Sequence, residues 1–162
     1  MKRTLLLIRG DCTGSFGVIM AYWHWFRFEQ RLRHGRRYII RELIEPSVEM
    51  VLSAMASADA IMIYGHGSSD GRGALLQAGT GFRHTDVAKS GIVLLDAAVL
   101  NKLETLRTAP LDFVFSATCF GASNPGLVSA WLRVTREYTS YPGTTFDVDP
   151  RRITFPVKFA QE

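Results

Sequence analysis

Cysteine is scarce in this chain: two residues, Cys12 and Cys119, among 162. Two cysteines do not make a disulfide framework, so free thiols in a reducing compartment, the cytoplasm, are expected. Long apolar runs are missing as well. Nothing approaches the ~20 apolar residues a membrane-spanning helix needs, and the apolar residues 5–8 are too few for a signal-peptide core. No membrane partner is therefore expected. Internal repeats, low-complexity tracts and linkers are absent, which favours one domain over 1–162. Charge is modest in either sign: 21% charged residues and a net +4, beside 47% apolar residues. That balance excludes disorder as the main state, and so small an excess of cations is weak support for a nucleic-acid partner.

Short apolar segments alternate with helical patterns along the chain. Residues 4–8, 38–44, 60–64 and 112–117 read as strands bounded by turn signals. Residues 15–34 read as a helix with Phe16, Ile19, Trp23 and Phe26 on one stripe and Gly35 as its stop. The first half of that helix is apolar nearly all round, so burial is expected, in part against a partner. Pro46 and Ser47 open a helix carrying Val48, Val51, Leu52 and Met55. Asp96 is placed to cap one carrying Val99, Leu100, Leu103 and Leu106, and Asn124-Pro125-Gly126 starts another through Val128, Trp131 and Leu132. Residues 74–77 read as a short strand or hairpin arm and 138–141 as a weaker strand. Residues 153–159, interrupted by Pro156, belong at a sheet edge because proline has no N–H to donate. The alternation predicts an α/β fold, a mostly parallel central sheet flanked by helices with right-handed crossovers.

Two of these strands end in reactive side chains. Ile61-Met62-Ile63-Tyr64-Gly65-His66-Gly67 sets a histidine just past an apolar run, and Phe113-Val114-Phe115-Ser116-Ala117-Thr118-Cys119-Phe120-Gly121 does the same for a cysteine. Residues just after parallel strands lie at their carboxyl ends, where open α/β sheets build ligand crevices. A cysteine attacks as its thiolate, and a nearby histidine lowers the thiol pKa and can protonate the leaving group. Gly67 and Gly121 are expected to leave room for substrate backbone, and N–H groups beside Cys119 to stabilise an oxyanion. Taken singly, each residue reads more simply as structural, since cysteine is among the most buried residue types. Jointly they read as a nucleophile and its base. Chain order discriminates further: the histidine comes first, whereas α/β-hydrolase and papain-like sites put the nucleophile first.

With those residues in view, the chain resembles the caspase-like cysteine peptidases of clan CD. That group includes caspases, metacaspases, legumain, clostripain, gingipains, separase and bacterial CHAT domains. Its signature, an apolar strand ending in His-Gly and a second ending in Cys, is matched by Tyr64-Gly65-His66-Gly67 and Ser116-Ala117-Thr118-Cys119-Phe120-Gly121, although Thr118 separates the alanine from the cysteine. Similarity is greatest to CHAT, through Gly73-Ala74-Leu75-Leu76 and Leu94-Leu95-Asp96. The resemblance implies a three-layer caspase-like fold and a cysteine endopeptidase acting on protein or peptide substrates without metal or organic cofactor. His66 would be the general base or acid, Cys119 the nucleophile, and the Gly67 and Cys119 amides the oxyanion hole. Asp11 could receive a basic substrate side chain, though a turn aspartate bonding its own backbone is the plainer reading. Metacaspase-like members carry an acid two residues before the cysteine; Ala117 stands there. Asp70 could orient His66 or cap a turn. The part after Cys119 is short for such a domain, so a homodimer or an activating partner could complete the site.

Three other readings stay open. A catalytically silent binding or assembly unit on the same fold follows from that shortened part. Arg27, Arg31, Arg33, His34, Arg36, Arg37 and Arg41 lie near Trp23, Trp25 and Phe28, a combination that can grip phosphates and stack bases. Such a run is usually a solvated helix end, so nucleic acid is not the expected partner. His66, Asp70, His84 and Cys119 fit no zinc spacing.

Overall fold

The computed structural model describes residues 2–13, 17–77, 93–145 and 150–161. Their elements are β1 (Arg3–Arg9), α1 (Val18–His34), β2 (Tyr38–Ile44), α2 (Val48–Ser57), β3 (Ala60–Tyr64), β4 (Gly73–Gln77), β5 (Val93–Asp96), α3 (Ala97–Leu106), β6 (Val114–Ala117), α4 (Pro125–Val134), β7 (Glu137–Ser140) and β8 (Val157–Ala160). Six strands form one sheet in the order β2-β1-β3-β6-β7-β8. Every pair is parallel except β7–β8 at the edge. β4 and β5 form a separate antiparallel pair beyond the carboxyl ends of the main strands.

Local chemistry explains where the elements begin and stop. Ser47 accepts from Met50 N, Asp96 from Val99 N, and Asn124 from the amides of Gly126 and Leu127, so three of the four helices start on side-chain caps. The strand expected over 153–159 is shorter than the pattern suggested. Pro156 cannot join the ladder, so pairing with β7 starts at Val157, while Ile153 forms an isolated bridge with Thr144.

The strands alternate between two cores. Leu6, Ile8, Ile61, Ile63 and Val114 face α2, α3 and α4 in the larger one. Leu5, Leu7, Ala60 and Met62 face α1 in the smaller one, where Trp23 and Phe26 of the helix are buried. Among the described residues, three helices thus cover one face of the sheet and one helix covers the other. Phe115 and Ala117 on the α1 side of β6, and Phe113 just before it, remain half-buried. In the first half of α1 only one side meets the sheet, so Trp23 is buried within the chain while Tyr22 and Trp25 are exposed on its outer side. Phe16 and His84 lie outside the described residues.

Candidate active site

The site grows from the alternation just described. On β3, Met62 and Tyr64 point to the α1 face, and the same two-residue period carries on to His66. Phe115 and Ala117 of β6, with Phe113 just before it, point that way, and the period carries on to Cys119. β3 and β6 are adjacent and parallel. Both reactive residues therefore leave the sheet at neighbouring carboxyl ends and on one face, and both line one cleft of about 950 Å³.

His66 is held through its backbone and its ring. Its N–H donates to Asp11 O at 2.9 Å, and its carbonyl accepts from Leu75 N at 2.9 Å. Its Nε2 lies 2.7 Å from Thr13 O. A carbonyl oxygen can only accept, so Nε2 carries the proton and, in the neutral ring, Nδ1 the lone pair. Cys119 is half-buried; its Sγ accepts from Thr145 N at 3.3 Å and lies 3.5 Å from Thr145 Oγ1.

The loops carrying the two residues touch. A Cβ on Gly67 would fall 2.0 Å from Cys119 O. The glycine therefore serves the approach of one loop to the other, not, as expected, the entry of substrate backbone. Gly121 likewise makes room for β7 from within the protein, since a Cβ there would lie 2.2 Å from Ser140 Oγ. The antiparallel bridge between Gly67 and Ala74 is carried by the flanking bonds Ser68 N to Gly73 O and Leu75 N to His66 O. That pattern turns the Gly67 N–H away from β4.

Polar groups beneath Cys119 set its turn. Ser116 Oγ and Thr118 Oγ1 are 2.8 Å apart, Ser140 Oγ donates to Ser116 O, and Tyr138 Oη donates to Gly121 O. Phe120 follows the cysteine at φ +58°, a left-handed conformation an aromatic residue seldom adopts. It is pinned there by Phe120 N to Gly143 O and by two bonds from Ser123 to Phe120 O. Thr13, Thr145 and this polar layer escape reading by motif; the sequence signal for them was hydroxyl side chains inside an otherwise apolar run, Ser116 and Thr118 among them.

The other candidates are engaged elsewhere than with the two reactive side chains. Asp11 is fully buried, and its carboxylate accepts from Thr13 N at 3.2 Å and Thr13 Oγ1 at 3.0 Å. It closes its own turn and is not among the cleft-lining residues, so a substrate side chain does not reach it there. Asp70 is exposed and paired with Arg72 at 2.5 Å rather than with the His66 ring. Burial would raise its pKa, but bonds from Ser68 and Arg72 outweigh that and hold it below the usual carboxylate value. Cys12 is buried, and burial pushes its thiol up to about 12, so it stays protonated near neutral pH. Arg27 and Arg31 are both spent on Glu42 at 2.7 Å, and Arg33 on Glu29. No cluster of three or more metal-ligating side chains exists among the described residues. Among them, too, no helix is long and apolar enough to cross a membrane.

No family model and no curated protein matches the sequence. Among solved structures the chain is similar to a secreted C11 cysteine protease from Bacteroides thetaiotaomicron, crystallised with an irreversible peptide inhibitor. The TM-score is 0.55 at 11% sequence identity, covering 94% of this chain and 56% of that one. The chain thus spans little more than half the length of that neighbour. The likeness shows the fold: mixed α/β, caspase-like, with a mostly parallel six-stranded sheet between helices.

Proposed function

We propose that the chain is a cysteine endopeptidase in which Cys119 attacks the carbonyl carbon of a peptide bond. His66 takes the thiol proton and returns it to the leaving amine, leaving an acyl-enzyme that water hydrolyses. The Gly67 and Cys119 amides stabilise the oxyanion. One observation carries the reading: His66 and Cys119 leave adjacent parallel strands on the same sheet face and line the same cleft. The fixed Nε2 proton supports it, because it assigns the basic lone pair to Nδ1. Within the caspase-like group we place the chain nearest the CHAT domains. Gly73-Ala74-Leu75 and Leu94-Leu95-Asp96, which carry that similarity, pair here as β4 and β5. Two free cysteines suit a cytoplasmic setting.

The test is labelling with peptidyl acyloxymethyl ketones, with the adduct located by mass spectrometry. Labelling at Cys119 that disappears in His66→Ala is the expected result. Equal labelling of Cys12 and Cys119, indifferent to His66, would mean ordinary thiol exposure and overturn the reading. A silent binding unit is favoured by one observation, the outward aromatic side of α1 with Trp25 at 64% exposure. The same experiment separates the two.

A further inference from the structure

Helix α1 carries two apolar stripes. One, with Trp23 and Phe26, is buried against the sheet. The other is Ala21, Trp25, Phe28 and Leu32, spaced i, i+4, i+7 and i+11, which keeps them on one side of the helix for three turns. At about 100° per residue, that side lies opposite the buried one. All four are exposed: Leu32 reaches 67%, and the rings of Trp25 and Phe28 meet each other at 6.0 Å. One stripe suffices to hold a helix on a sheet, so packing within the chain leaves the second unexplained. Large apolar groups gathered on a surface mark a binding face.

Cations collect beside that stripe. Residues 27–37 hold five arginines and one glutamate, a net +4 that equals the net charge of the whole chain, so elsewhere the two signs balance. Two carboxylates serve this group: Glu42 takes Arg27 and Arg31, and Glu29 takes Arg33. Arg36 and Arg37, exposed in the turn that follows α1, have no carboxylate partner among the described residues.

Charge and residue type point to the occupant. A second copy would bring the same arginines against these. A partner helix on such a seam is met best by Leu, Ile and Val, whose shapes interlock, whereas Trp and Phe settle where water gives way to hydrocarbon. Stacked nucleic-acid bases would use the rings but leave Leu32, the most exposed of the four large groups, in water. An anionic lipid surface uses every part: the acyl boundary takes the stripe, the headgroups take the guanidiniums, and the arginine stems lie between.

We propose that the outer side of α1 docks on the surface of an anionic phospholipid bilayer. Trp25, Phe28 and Leu32 enter the acyl boundary, and Arg36 and Arg37 meet the headgroups. The expectation of no membrane partner concerned a spanning segment; α1 is not long and apolar enough to cross, and it lies along the surface instead. Docking is independent of the chemistry at Cys119.

The unaltered chain carries its own reporter. Of its three tryptophans, Trp23 and Trp131 are buried and Trp25 is exposed. With vesicles of phosphatidylcholine and phosphatidylserine in equal parts, the emission should move to shorter wavelength and the protein should float with the vesicles. Pure phosphatidylcholine vesicles should bind it at least about tenfold more weakly. Arg36→Ala with Arg37→Ala should weaken flotation on the charged vesicles roughly thirtyfold, and Trp25→Ala with Phe28→Ala at least about tenfold. Phe155→Ala, which removes an exposed ring beside β8 at the far edge of the sheet, should change nothing. Thermal melts verify that each variant is folded. Absent flotation on the charged vesicles, equal flotation on both kinds, or flotation unmoved by both double variants overturns the proposal. So does an emission shift given by a single-stranded oligonucleotide or an acidic helical peptide but not by the vesicles.

Discussion

Gly67 has no space for a methyl group, because Cys119 O occupies the place where a Cβ would stand. Gly67→Ala must push the two loops apart, and the obstacle is backbone, which cannot swing away as a side chain would. Overpacking of this kind costs about 1–3 kcal/mol. A shift of about 1 Å between reacting groups costs on the order of 100-fold in rate. We therefore expect Gly67→Ala to remain folded in urea titrations while the labelling rate at Cys119 drops by about two orders of magnitude; unchanged labelling would show that the contact does not set the geometry. Cys12 supplies a second residue-scale expectation. Burial raises its thiol from 9.0 to about 12, so above pH 9 the unfolded chain loses a proton that the folded chain keeps. Stability then falls as pH rises from about 9 toward 12, by up to about 1.4 kcal/mol per pH unit, with no contribution below 9. Cys12→Ala should flatten the fall between about pH 9 and 10, before the buried phenols of Tyr64 and Tyr138, also raised, begin to contribute. Urea midpoints measured across that interval check this, and parallel curves for the two proteins would refute it.

At the scale of the element, α2 shows how far a helix end can depend on distant chain. Its last residues enter an extended cap at Ala58 with no left-handed glycine to turn the carbonyls inward. Arg107, just past α3, donates instead to Met55 O at 2.5 Å, Ala58 O at 3.0 Å and Ala56 O at 3.2 Å. A cation there also suits the negative end of the helix dipole. Arg107→Ala should cost about 2 kcal/mol in denaturant unfolding, since half-buried carbonyls lose a charged donor; a loss below about 0.5 kcal/mol would mean that water replaces it. Helix starts and stops of this protein differ in how legible they were. Ser47, Asp96 and Asn124 act on amides two or three residues away, so each was readable as a cap. Arg107 acts across some fifty residues, and no local pattern marks it.

For the molecule as a whole, the unequal covering of the sheet divides labour between its faces. The side bearing α2, α3 and α4 holds most of the buried apolar surface, with Trp131 at 2% exposure stacked on Tyr138 at 5.4 Å. The side bearing α1 alone is left partly open and forms the cleft. Trp131→Ala should therefore cost about 3–5 kcal/mol, while Trp25→Ala, on the outer side of α1, should stay within about 0.5 kcal/mol. Chemical denaturation of the two variants checks this, and similar losses would mean that α1 is covered on both sides in solution. The amino-acid sequence by itself determined the alternation of strands and helices, the three capped helix starts and the pairing of His-Gly with a strand-end cysteine. Those signals act over two to four residues, through side-chain period and short-range hydrogen bonds. Only the tertiary structure decided that β3 lies beside β6, that Asp11 turns inward, that Thr13 and Thr145 meet the two reactive side chains, and that one sheet face is only partly covered by α1. Parallel pairing joins positions separated by whole crossovers, so contacts of that kind arise from the packing of elements and not from any stretch of chain read alone.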